Sequence, residues 1–173
     1  SQIQDTFIST PWKNHTITLV ANSSILWDTK RGEAKDYGIF IHKILSEVIT
    51  VKDLNTVLEK YIQQGEINAI EKRHLQKNIL KIITHPKLQA YYLEDITVFN
   101  EREIVSNHQI IIPDRLVFDN TKRVTIIDYK TGVSKKEHHF QLEKYAEVLE
   151  LLGYSVLKKV LIYSNETISV EEF

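Results

Sequence analysis

The stretch that most constrains this chain is residues 124–127, Val-Thr-Ile-Ile, followed at once by Asp128-Tyr129-Lys130. A β-branched run with no polar face reads as an interior strand covered on both sides. The charged residues at its end therefore need partners, because an unpaired buried polar group costs roughly 1–3 kcal/mol and a buried charge more. A second such run occupies residues 109–118, and Asp119-Asn120-Thr121-Lys122-Arg123 lies between the two, which is a hairpin signal.

Side chains alternate along a strand, so Asp128 and Lys130 share a face roughly 7 Å apart and Tyr129 takes the other. If the loop is three residues centred on Thr121, paired positions sum to 242, and Asp114 stands opposite Asp128. The two would then be about 5 Å apart. A loop one residue longer or shorter would put them on opposite faces. Two carboxylates at that distance persist only if one is protonated or a cation lies between them. The cation is favoured: a hard divalent ion suits oxygen ligands, and Lys130 would stand beside an attacking water, which is hydrolytic chemistry. The plainer reading makes Asp114 a turn residue and Asp128–Lys130 an ion pair at a strand end.

Pro113-Asp114, followed fourteen residues on by Asp128-Tyr129-Lys130, resembles the signature of the PD-(D/E)XK nuclease superfamily, and Asp-Tyr-Lys-Thr-Gly is similar to its RecB-type exonuclease branch. Gly38-Ile39-Phe40-Ile41-His42 with Leu45 resembles that branch's helical histidine motif, and Gln141 to Tyr145 its Q-x-x-x-Y motif, in the same order. The spacing around Pro113 is also similar to nuclease domains at the C-termini of UvrD-like helicases. The resemblance implies an α/β, restriction-endonuclease-like core of mixed β-sheet flanked by helices. It further implies Mg²⁺ or Mn²⁺ held by Asp114, Asp128, the Tyr129 carbonyl and His42, with Lys130 catalytic. Gln141 would hold the lysine or a phosphate, and Tyr145 would contact nucleic acid or be a buried packing residue. The family's upstream glutamate has two candidates here, Glu101 and Glu103, read as two residues apart on one face.

Elsewhere the chain reads as support. An amphipathic helix is expected from Asp36, as N-cap, through Ile49, with helices over 53–64 and 67–84 forming a helical insertion at 53–92. On the last of these, Arg73, Lys77 and Lys81 make a basic row, either a phosphate track or a solvated face. A strand pair is expected within 93–106, leading into the hairpin. Arg115 points away from Asp114 and is read as a brace for the strand or a neighbouring carboxylate. A helix over 136–152 and strands at 156–163 and 167–170 complete the core. His138 and His139 diverge by about 100° on a helix and are taken as surface residues. His74 and His85 have no evident partners. In the first 35 residues, an N-terminal extension, only a strand at 16–21 and the packing residues Trp12 and Trp27 stand out.

At 173 residues the chain suits one domain, with 93–173 its catalytic sheet and helix. Without cysteine it has no disulfide, thiolate zinc site or iron-sulfur cluster. It contains no phosphate loop, so any ATP-driven motor lies elsewhere. No run suits a membrane span or signal peptide, which places it in the cytoplasm. A net charge of −1 is unlike a free-standing nucleic-acid binder. That charge and a start at Ser-Gln-Ile without any methionine point to a piece of a longer polypeptide whose helicase motor supplies DNA affinity. The expected activity is metal-dependent DNA cleavage, exonuclease ahead of endonuclease, in end processing, repair or recombination. A non-catalytic DNA-binding or docking module of the same fold is the alternative. Cutting polarity, strand preference, the number of metal ions and oligomeric state are open at this level.

Overall fold

In the computed structural model, α1 (Arg31–Glu47) buries Phe40, Ile41, Ile44 and Leu45 along one stripe, continued by Val48 just past its end. The structure describes residues 31–165 and 167–173, with side chains from Tyr37 onward. The expected strand at 16–21 and both tryptophans lie outside the described residues. α1 is already helical at Arg31, so Asp36 sits within it instead of capping it. Apart from Gly32, residues 31–35 are competent helix formers and carry the helix across a polar stretch that has no apolar stripe to announce it.

α2 (Asp53–Gln63) and α3 (Ala69–Ile83) follow, the latter opened by a capping box in which Asn68 accepts from the Glu71 amide and Glu71 accepts from the Asn68 amide. Leu54, Leu58, Tyr61, Leu75, Ile79 and Ile82 bury their side chains in one core with α1 and one face of the sheet, contributed by Val117, Ile127, Tyr129, Val160 and Ile162. The segment expected as an insertion thus packs into this main core.

The sheet has five strands in the order β1-β4-β5-β6-β7. These are β1 (Thr97–Asn100), β4 (Arg115–Phe118), β5 (Arg123–Lys130), β6 (Ser155–Ser164) and β7 (Ile168–Glu172). β5 and β6 are parallel, joined by α4 (Lys136–Leu151) on the second face, and the other pairs are antiparallel. α4 covers Leu116, Val124, Ile126 and Leu161 with Leu142, Ala146 and Leu149. This is the mixed, helix-flanked α/β sheet expected. No described helix is long and apolar enough to cross a membrane.

The hairpin register is the one read from the sequence. Arg115 pairs with Ile127 and Phe118 with Val124, and the Asp119 amide bonds the Arg123 carbonyl around a three-residue loop. Lys122 takes the left-handed position of that loop at φ 62°. Asp119 ties the turn by accepting from Thr121 and Arg123, bonds that hold its carboxyl well below the usual range.

Two expectations are corrected. Residues 109–118 do not form one strand: β3 (Gln109–Ile111) stops before Pro113, and β4 starts after Asp114. Nor do the strands within 93–106 pair with each other, since β1 joins β4 while β2 (Ile104–Ser106) joins β3 in a separate ribbon. The cause is a two-residue turn at Asn107-His108, both at positive φ (47° and 64°), the geometry that closes a tight hairpin. Proline cannot donate to a sheet ladder, which ends β3 before Pro113.

Arg115 is fully buried and braces carbonyls instead of a carboxylate. Its guanidinium donates to the carbonyls of Val48 at 2.8 Å, Ile49 at 2.7 Å and Tyr91 at 2.6 Å, and lies 4.1 Å over the Tyr92 ring. Asn100 adds its amide to the Ser46 carbonyl at 3.0 Å. Together they satisfy the negative C-terminal end of α1 and pin it to the sheet.

Candidate active site

Because β5 is buried on both faces, its last turns must bring their own partners. Asp128 is 2% exposed and lies on the α4 face with Val124 and Ile126. Lys130 Nζ stands 2.6 Å from Asp128 Oδ2 and donates to Gln141 Oε1 at 2.7 Å, and Gln141 Nε2 in turn donates to the Tyr145 hydroxyl at 2.7 Å. The Lys130–Asp128 approach is a close contact of opposite charges without hydrogen-bond geometry, so the buried Asp128 Oδ2 has no hydrogen-bond partner among the described residues.

Asp114 stops short of β4, and its Oδ2 accepts from the Tyr129 amide at 2.8 Å. That bond fixes the carboxylate at the point where Asp128 begins to turn its charge toward it. Some 19% of the Asp114 side chain still meets solvent, yet burial first and Asp128 second raise its pKa well above the ordinary range, with Glu101 adding to the rise. The Tyr129 amide and Lys130 pull the other way. Two carboxylates in this relation, one with a raised pKa and the other paired with Lys130, make an acidic pair that suits a divalent cation.

From the opposite face α1 delivers His42, whose Nδ1 is 3.6 Å from Asp114 Oδ2 and whose ring stands edge-on to the Tyr129 ring at 5.7 Å. Burial lowers the His42 pKa, opposed chiefly by Asp128, which favours the uncharged imidazole with a lone pair to offer. Gly38 lets α1 come this close: a Cβ there would fall 2.4 Å from Thr131 Cγ2. Beyond Lys130, Asn165 grips Gly132 through its amide and carbonyl at 3.0 and 2.8 Å, fixing the end of the strand.

Among the described residues, no group of three or more His, Asp or Glu side chains stands in a metal-holding arrangement. The donor types nevertheless fit a hard divalent ion with a tolerated imidazole: the orphaned Asp128 oxygen, the Asp114 carboxylate, the Tyr129 carbonyl and His42.

The remaining expected residues divide. Gln141 holds Lys130, while Tyr145 is buried at 8% exposure behind it and supports Gln141. Glu101 and Glu103 do not share a strand face, since Glu101 turns at φ 46° after β1. Its amide donates to the Asp114 carbonyl at 3.0 Å and its charge is felt at Asp114, whereas Glu103 is exposed just before β2. Arg73, Lys77 and Lys81 are exposed on α3 and make no ion pair or hydrogen bond with the described site residues.

His138 corrects the reading of both neighbouring histidines as surface groups. It is half-buried, with Nδ1 3.0 Å from the Tyr163 hydroxyl, and it senses Lys130 and Asp128. The same divergence that keeps His138 and His139 from sharing a ligand turns one of them inward, and His138 lies three residues before Gln141 on that inward face. His139 pairs with Glu171 instead.

Comparison with known proteins gives a family match over most of the chain: the PD-(D/E)XK nuclease superfamily matches residues 19–168. No curated protein matches it. A solved structure described as the crystal structure of SSO0001 aligns over 79% of this chain and 77% of that one, at 20% identity and a TM-score of 0.31, a likeness too slight to add to the family match.

Proposed function

Because the chain belongs to the PD-(D/E)XK nuclease superfamily, we propose that it hydrolyses DNA phosphodiester bonds with Mg²⁺ or Mn²⁺ held by Asp114, Asp128, the Tyr129 carbonyl and His42. The observation that carries this reading is the buried Asp128 carboxylate, whose Oδ2 makes no hydrogen bond among the described residues and meets the Lys130 ammonium at 2.6 Å, beside a second carboxylate whose pKa is raised by burial and by the Asp128 charge. A divalent ion bound there supplies Lewis-acid polarisation of the phosphate and stabilises charge on the leaving oxygen. Lys130, held by Gln141, sets its ammonium beside the attacking water and offsets charge developing on the phosphate. Asp114, fixed by the Tyr129 amide, holds its carboxylate toward the same point.

Within the superfamily we place the chain in the RecB-type branch, as a single nuclease domain of a UvrD-like helicase-nuclease that degrades DNA ends in repair or recombination. Support comes from the order of the His42, Asp114, Asp128-Tyr129-Lys130 and Gln141–Tyr145 motifs, and from a net charge of −1, which suits a domain whose DNA is delivered by a motor.

End-labelled linear DNA, single- and double-stranded, incubated with Mg²⁺, Mn²⁺ or EDTA tests the reading. Cleavage with either metal and none in EDTA is expected. DNA that is bound but never cut would instead favour the docking module. Gln141→Ala, which frees Lys130, is expected to slow cleavage roughly tenfold to a hundredfold with the melting temperature little changed. Equal rates for Gln141→Ala and wild type would remove Gln141 from the mechanism.

Metal binding should also show in stability. At a hundredfold excess over its dissociation constant, Mn²⁺ stabilises by about 2.7 kcal/mol. The pH dependence has a definite sign. Asp114 has a raised pKa in the fold, so between the ordinary Asp value near about 4 and that raised value the folded state holds more proton than the unfolded chain. Metal-free stability therefore falls as pH climbs through this window, and the loss persists above it. Melting temperatures in Mn²⁺ and in EDTA are expected to separate as pH rises through the same window. A constant gap would mean that Asp114 is not a ligand.

A further inference from the structure

We infer that His138 is a substrate-contacting residue of this site, a hydrogen-bond donor that grips a non-bridging phosphate oxygen of the DNA through Nε2. The inference rests on the proposed nuclease reading for its substrate and goes beyond it in assigning a residue outside the motifs.

Three placements converge on His138. It sits in the first turn of α4, three residues before Gln141, so the helix presents both on one face, and Gln141 is bonded to Lys130. Its ring lies beside Tyr163, 5.7 Å between centroids, and Tyr163 is the Cα partner of Lys130 across the parallel β5–β6 pair. The imidazole thus lies close enough to Lys130 to feel its charge. Finally, Nδ1 is engaged by the Tyr163 hydroxyl at 3.0 Å, while no hydrogen bond joins Nε2 to a described residue and the side chain is half-buried.

The Tyr163 contact bears on the chemistry. Tyr163 is 2% exposed, and its hydroxyl lies 3.0 Å from Nδ1; taken as the donor in this pair, it leaves the hydrogen on Nε2. Burial, Lys130 and Lys135 favour the uncharged ring. His138 is then a neutral, oriented donor beside a cationic lysine, suited to an anionic oxygen that Lys130 already attracts. A neutral donor releases no counterion from DNA, so its loss weakens binding without changing the salt dependence, unlike the loss of a lysine.

The variants His138→Asn and His138→Gln separate the two nitrogens, because the Asn amide occupies the Nδ1 position and the Gln amide the Nε2 position. Both are compared with wild type and Tyr163→Phe at pH 8, for cleavage in Mg²⁺ and for binding of a labelled oligonucleotide in Ca²⁺ across a salt series. His138→Asn is expected to lose roughly tenfold to a hundredfold in both readouts, the worth of one hydrogen bond to a charged group, with an unchanged salt slope. His138→Gln is expected to stay within a few fold of wild type, and Tyr163→Phe to fall between. Wild-type behaviour in His138→Asn, or equal impairment of Asn and Gln variants, would overturn the assignment and leave His138 a packing group for Tyr163. If wild type binds DNA but cuts none, the nuclease reading fails while the binding comparison still decides His138. If wild type binds no DNA, the assignment fails with it.

Discussion

Asp128→Asn is expected to abolish DNA cleavage while stabilising the metal-free chain. The carboxylate is 2% exposed, one oxygen lacks a hydrogen-bond partner, and its charge raises the pKa of Asp114. Neutralising it removes the like-charge repulsion with Asp114 and weakens the Lys130 ion pair at 2.6 Å, and the first is expected to exceed the second by about 1 kcal/mol. The same change takes away a charged oxygen ligand, and cleavage is expected to fall about a thousandfold or more, the scale of losing a principal electrostatic contributor. Gel assays of labelled DNA and thermal melts in EDTA measure the two halves. A destabilised Asp128→Asn would mean that the Lys130 contact outweighs the repulsion, and full activity would place the metal elsewhere. Function and stability oppose each other here, as they do where a site stores charge for its ligand.

Arg115→Ala is expected to be the most destabilising single change in the described core, at about 4 kcal/mol. It would leave the carbonyls of Ile49 and Tyr91 without this donor, each at a cost of roughly 1–3 kcal/mol when buried, reduce Val48 to the longer Asn100 bond at 3.3 Å, and open a void against Tyr92. For a chain of this size that corresponds to a fall in melting temperature of about 10 °C. Arg115→Lys retains the charge but not the planar fork, and an intermediate loss is expected. Urea unfolding decides it: a loss below about 1 kcal/mol would mean that water replaces the guanidinium at these carbonyls.

What the sequence made legible was whatever local rules dictate. The hairpin register, with Arg115 opposite Ile127, followed from the Asp119–Arg123 turn, which the Asp119 side chain ties. α4 and the Gln141–Lys130 link followed from helical spacing and motif order. The misses have non-local causes or weak signals. The β2–β3 ribbon is signalled only by Asn107 leading a two-residue turn, inside apolar runs too short to separate from a longer strand. Nothing near Arg115 in the chain tells that its charge will be buried against carbonyls from residues 48, 49 and 91. Glu101 was separated from Glu103 only by a backbone turn at positive φ. His138 was masked by its neighbour, although its spacing from Gln141 carried the information.

The parallel pairing of β5 and β6 has a temporal meaning. Its two strands are joined through α4, so Lys130 meets Tyr163 only after the helix between them has folded back, and His42 must arrive from the far end of the chain. Contacts so distant in sequence form late, because loop closure must come before they give any return. Asp114, Asp128 and Lys130 come together in a local hairpin, but Gln141, Tyr163 and His42 join them only through α4, β6 and α1. A nascent or truncated chain ending before β6 therefore carries the paired carboxylates without their full setting. The full set of contacts around the paired carboxylates thus belongs to the finished fold alone.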